Sequence, residues 1–221
     1  MRKIKYVSLL MTMVLCIGAA QPVFAAEIDE QGQYSLEQFE AEYGITENEI
    51  INFENNFESA LIELENTDSV EQLDGSVVKT VPVSENLVLE VITNEESDAY
   101  SVLGLNQVSR AQASEKTITS KLSIKNVYGI EIVTLNAVGK YSINGTISKP
   151  IDAYGTHNAY AWDVTTVGAA KGPSAYNAWV RVSFSSQFNF GVDPVSMTIQ
   201  SRDDTCTIYC NAKGTYSASW Q

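Results

Sequence analysis

From Thr117 onward, apolar and polar residues alternate almost one by one, and a period of two is the signature of half-buried strands. Ile118, Ser120, Leu122 and Ile124 alternate with Thr119, Lys121, Ser123 and Lys125. A second run covers 130–143 and ends at Asn144-Gly145, a strong short hairpin signal, with Thr146–Ile151 returning from it. Residues 159–167 read as another strand, closed by Gly172-Pro173. Over 175–188 the alternation is clearest: Tyr176, Ala178, Val180, Val182 and Phe184 are expected inside, and Asn177, Trp179, Arg181 and Ser183 outside. Gly191-Val192-Asp193-Pro194 turns the chain into Val195, Met197 and Ile199, and Asp203-Asp204 is expected to turn it again. Cys206, Ile208 and Cys210 then point inward, and 215–220 closes the run. Roughly seven or eight strands in this stretch predict an antiparallel sandwich or barrel, which periodicity cannot tell apart.

The residues before Thr117 obey another rule. Ser35-Leu36-Glu37-Gln38 and Thr46-Glu47-Asn48-Glu49 have the form of capping boxes, with Ile45 and Ile50 as a staple across the second. Leu36, Phe39 and Tyr43 share one helical face, Gly44 is a stop, and Ile50, Phe53, Phe57, Leu61 and Leu64 make a second stripe. A helical hairpin is expected, covered by strands at Val77–Val83 and Leu87–Ile92 that turn at Ser84-Glu85-Asn86. The expected class is therefore an α+β segment followed by an all-β antiparallel sandwich or barrel.

Charge divides the chain at nearly the same place. Residues 27–98 hold 20 of the 27 acidic residues and one base, Lys79, whereas 99–221 hold 7 acids and 10 bases. So weak a positive excess does not steer a protein to nucleic acid. The split suggests two units with different jobs, the acidic half being either an ordinary acidic domain or a pro-region that docks on the basic half. Residues 96–116 lose periodicity, and Arg110 and Ala113 are the candidate processing points in a linker over 99–116.

At the N-terminus, Arg2, Lys3 and Lys5 precede an apolar run over 7–20 and the small-residue sequence Val23-Phe24-Ala25-Ala26. This is the pattern of a secretory signal cleaved after Ala25; the run is shorter than the roughly 20 residues a membrane span needs. A secreted protein with no membrane anchor is expected, organised as a signal over 1–25, an acidic domain or pro-region over 26–98, the linker, and the β domain over 117–221.

Two cysteines would remain, Cys206 and Cys210. They are a disulfide candidate only if the chain turns between them, because four residues of extended strand span about 13 Å. Otherwise both thiols are buried side by side on one face.

Catalytic sets are sparse. His157, in an expected loop, is the single histidine, and no serine elbow, phosphate loop or calcium loop occurs. Ser76-Val77-Val78-Lys79 matches Ser-x-x-Lys without the partner motifs such enzymes use. No metal or cofactor is expected. All three tryptophans and seven of the eleven tyrosines lie in the β half, and such side chains, apolar in body and polar at the tip, suit contact surfaces. Trp179, Trp162, Tyr176 and Trp220 are the candidate binding residues. The leading expectation is a non-catalytic binder of a cell-surface glycan or protein. The alternatives are a toxin or antimicrobial effector whose acidic pro-region is released near 110–113, and a small hydrolase gathering Asp163, Asp193, Asp203 or His157.

Overall fold

A computed structural model describes residues 36–46, 48–49, 52–96, 114–159, 162–190 and 197–221. The expected signal with Ala25, the candidate processing residues Arg110 and Ala113, the staple residue Ile50 and the turn residue Asp193 lie outside them.

Helix α1 (Leu36–Tyr43) stops where Gly44 takes a φ of 69°, its N–H donating to the Glu40 carbonyl at 2.8 Å. Thr46 and Glu49 make the reciprocal bonds of a capping box: the Thr46 N–H donates to Glu49 Oε2 at 2.9 Å, and the Glu49 N–H donates to Thr46 Oγ1 at 3.4 Å. Helix α2 (Phe53–Asn66) follows, and its stripe of Phe53, Phe57, Leu61 and Leu64 is buried.

The rest of the described chain is mostly antiparallel β. Six strands pair in sequence order, each hairpin beside the last: β1 (Val70–Glu71), β2 (Val77–Pro82), β3 (Leu87–Glu96), β4 (Ser114–Asn126), β5 (Glu131–Ile143) and β6 (Ser148–Ala159). Four more form a second sheet: β7 (Trp162–Lys171), β8 (Asn177–Phe190), β9 (Met197–Asn211) and β10 (Tyr216–Trp220), in the order β10-β9-β8-β7. The turns at Ser84–Asn86 and Asn144-Gly145 form where expected.

One buried cluster joins the elements. Leu122, Leu135 and Tyr141 of the six-stranded sheet belong to it with Val180, Val182, Phe184 and Ile208 of the four-stranded sheet. The Tyr141 hydroxyl donates to the Ile208 carbonyl at 2.7 Å, and Trp220 Nε1–H donates to Ser120 Oγ at 3.0 Å. Over β2 and β3 the cover is α2, whose Phe57, Leu61 and Leu64 join the same cluster as Val81, Leu89 and Val91.

Several expectations change on this frame. The charge boundary is not a boundary of the fold: β3 and β4 pair at ten positions, from Leu87 opposite Asn126 to Glu96 opposite Thr117, and the described residues fall within one compact unit. The ion pairs Lys125–Glu90 and Lys116–Glu95 tie the same two strands. The segment read as a linker ends early, since Ser114, Glu115 and Lys116 already pair with β5. His157 lies within β6, opposite Leu135, because the return strand from Asn144-Gly145 runs on to Ala159 and leaves no loop there. Asp203 and Asp204 do not turn the chain. They sit inside β9, where Asp204 is buried and ion-paired with Arg202, so the carboxylate has a partner and the strand continues.

Candidate functional site

Strict alternation gives β8 two chemically opposite sides. Ala178, Val180, Val182 and Phe184 are wholly buried, so Trp179, Arg181 and Ser183 emerge on the outer face of the four-stranded sheet. Register supplies their neighbours. Trp179 stands opposite Tyr209, which stands opposite Ser217; Arg181 stands opposite Thr207, then Ser219; Ser183 stands opposite Thr205. Directly opposed residues have Cβ atoms about 5 Å apart. The result is an aromatic row, a row headed by a cation, and a row of hydroxyls.

Trp179 is partly exposed and leans toward β7. A Cβ built at Gly172 would fall 2.5 Å from the indole Nε1 and 2.6 Å from Cε2, so the ring occupies the space a side chain there would fill. The Gly172 N–H donates to the Trp179 carbonyl at 2.8 Å, which fixes the two backbones side by side. Arg181 is exposed; its guanidinium carbon lies 5.3 Å from the indole centroid and its Nε–H donates to Thr207 Oγ1 at 3.3 Å. Among the described residues no carboxylate pairs with it. Ser183 and Thr205 share a hydrogen bond of 3.1 Å between their hydroxyls. An indole with a guanidinium on its flank, beside hydroxyls, can stack on a ring and donate to oxygens around it.

The other predicted site residues scatter. Trp220 is 4% exposed, stacks against Phe184 with centroids 5.9 Å apart, and is a core residue; the polar end of its indole is spent on Ser120. Tyr176 is 53% exposed, contrary to the inward position expected, because β8 begins only at Asn177. Trp162 opens β7 opposite Phe188, and its side chain lies outside the described residues.

Cys206 and Cys210 are free and buried on the inner face of β9. The strand stays extended between them, which holds the thiols too far apart to bridge. Burial pushes the Cys206 thiol up to about 12 and raises that of Cys210, so both stay protonated at neutral pH and are poor nucleophiles. His157 lies on β6, while Asp163 and Asp203 lie on β7 and β9 with β8 between them, so these three are not brought together. Among the described residues, no three His, Cys, Asp or Glu side chains are gathered as a metal would need. No described helix is long and apolar enough to cross a membrane.

A cleft of about 350 Å³ opens between β10 and the β2–β3 side of the larger sheet, lined by Lys79, Thr93 and Tyr216 among others. Its one cation is engaged: Lys79 Nζ donates to the Leu64 carbonyl at 3.0 Å, at the C-terminal end of α2.

Two residues of the outer face escaped the sequence reading as site members. Arg181 was findable, since it follows Trp179 at the two-residue period. Tyr209 was not, because only the β8–β9 register sets it beside Trp179. No family model matches the chain, and neither a curated protein nor a solved structure is similar to it.

Proposed function

We propose that the chain is a secreted β-sandwich protein, released after cleavage at Ala25, whose outer four-stranded face binds a cell-surface glycan without catalysis. In this reading the two N-terminal helices fold back as an antiparallel pair and remain with the mature protein. The observation that carries it is the seating of Trp179, laid over Gly172 and flanked by Arg181 and Tyr209, beside the hydroxyls of Ser183 and Thr205. A protein–protein contact of the obligate kind would favour a larger apolar core than this face offers. A sugar ring, with one apolar side and a rim of hydroxyls, matches an indole beside serines and threonines.

The test is retention on envelope fractions and insoluble polysaccharides. The full chain without its signal should be retained, and Trp179→Ala should lose about tenfold or more in affinity while keeping its unfolding midpoint, since stacked aromatic contacts are worth about 1.5 kcal/mol. Equal retention of the Trp179→Ala protein would sink the reading.

A further inference from the structure

Resting on that reading of the outer face, we infer that its ligand is an acidic glycan, a pyranose chain bearing a carboxylate, with the Arg181 guanidinium as the carboxylate receptor. The argument begins with what holds Arg181. An exposed arginine ordinarily samples many rotamers, yet this one is tied at two points: Nε–H to Thr207 Oγ1 at 3.3 Å, and the guanidinium beside the indole, 5.3 Å from the ring centroid. Those contacts use one N–H and the side of the group turned to Trp179. Among the described residues nothing accepts from the two Nη groups, the fork that meets a carboxylate in bidentate fashion, and Arg181 is exposed.

The same pair sets the ligand's class. A planar indole calls for a ring to stack on, which a simple linear phosphate polymer does not provide. A guanidinium about one side-chain width from that ring calls for an anionic group carried on the same sugar or the next, and a uronic acid supplies both.

The surrounding charges confine the anion to this spot. Asp203 stands opposite Ser185, four residues along β8 from Arg181, which is about 13 Å of strand. Asp163 stands opposite Gln187, two residues farther on. Glu65 of α2 accepts a hydrogen bond from Ser219 Oγ at 3.4 Å, two strands away from Arg181. That is about 10 Å, close to one Debye length at 0.1 M salt. The positive site is thus local, bounded by carboxylates on two sides, and suited to a single carboxylate held at the aromatic row.

The experiment compares two forms of one oligosaccharide, trigalacturonate and its fully methyl-esterified derivative, by calorimetric titration into the full chain without its signal. The free acid should bind about tenfold more tightly than the ester, the value of one charge-assisted hydrogen-bonded contact. Arg181→Gln should erase that difference, Arg181→Lys should restore part of it, and Trp179→Ala should weaken both forms, the acid at least as much as the ester because the indole also holds the guanidinium. Circular dichroism and the urea midpoint of each variant should match the parent, because both side chains emerge on the solvent side of the sheet.

Equal affinity for acid and ester, or an Arg181→Gln protein that keeps the preference, overturns the inference. If equal affinity is accompanied by loss on Trp179→Ala, the broader glycan reading stands and only its acidic specificity falls. Binding of neither form overturns the inference as well, and the envelope retention of the parent then decides the broader reading separately.

Discussion

The six-stranded sheet is covered in two different ways, and the contrast shows how a chain so unevenly charged holds together. Over β4 and β5 the cover is another sheet, and the contact is dry: Val180, Val182, Phe184, Cys206 and Ile208 have no exposed surface. The chief polar bonds across it, Tyr141 to the Ile208 carbonyl and Trp220 to Ser120, are themselves buried. Over β2 and β3 the cover is α2, and the packing is looser, with Leu61 9% and Leu64 6% exposed. Polar ties take up the difference. Glu49 accepts from the Asn86 N–H at 2.9 Å and from Asn86 Nδ2 at 3.0 Å, and it also accepts from Ser84 Oγ. Asn126 Nδ2 donates to the Tyr43 carbonyl at 3.0 Å, and the Arg202 guanidinium, paired with Asp204, lies 3.4 Å from the centre of the Phe57 ring. A sheet facing a sheet can be closed by shape alone. A helix laid over the margin of a sheet, in the acidic part of the chain, is anchored by hydrogen bonds and charge.

That contrast can be broken most severely on the dry side. Phe184→Ala should cost about 3–5 kcal/mol in urea unfolding, because it leaves a cavity between two sheets that cannot collapse independently. Most of that loss should persist from pH 7 to pH 4.5, because it is lost apolar contact; only Asp204, which stands opposite Phe184 and is raised above the ordinary carboxylate range by burial, adds a part that depends on pH.

The helix-covered side should respond to acid instead. Partial burial alone would raise the Glu49 carboxyl, but hydrogen bonds from Ser84, Thr46 and Asn86 outweigh it and hold the group down to about 2, below its ordinary 4.5. A group depressed on folding contributes its stability above the unfolded value and loses it as the pH falls through the folded one. Glu49→Gln should therefore lower the urea midpoint at pH 7 by less than Phe184→Ala does. The gap between parent and variant should narrow from about pH 4.5 downward and close near pH 2. A gap unchanged over that range would mean Glu49 is not the anchor. The smallest effect belongs to the outer face: Ser183→Ala should move stability by no more than about 0.5 kcal/mol, because Ser183 points away from the contact between the sheets and bonds only to Thr205 beside it.

How much of this could be read in the sequence depends on whether the signal was local. Alternation from Ile118 onward, the Asn144-Gly145 turn and the capping pair Thr46–Glu49 are local, and each appears where the residues place it. Pairing between distant strands is not local. Glu90 and Lys125 fall on opposite sides of the charge boundary and suggest two units, yet they form an ion pair on the diagonal between β3 and β4. The charge split records complementary strands, and sequence order alone cannot distinguish that from complementary domains.

Asp203-Asp204 misled for a related reason. Adjacent aspartates favour turns when solvated, and only the pairing with Arg202 makes an extended, buried Asp204 tolerable. Trp220 read as surface because aromatic side chains suit contacts in general; the Ser120 hydroxyl that satisfies its N–H lies a hundred residues away. At the candidate site, Trp179 and its outward direction were legible. The cradle at Gly172 and the neighbour Tyr209 required the register of three strands.

The ten-position pairing of β3 with β4 has one more consequence. A covalent break between Glu96 and Ser114 would leave all ten β3–β4 pairs in place. The molecule is in effect a natural split protein: an acidic fragment bringing both described helices and three strands, and a complementary fragment bringing the other seven. Proteolysis in that interval would leave a nicked heterodimer with its outer four-stranded face intact, so release of the acidic piece would need denaturation as well as a protease.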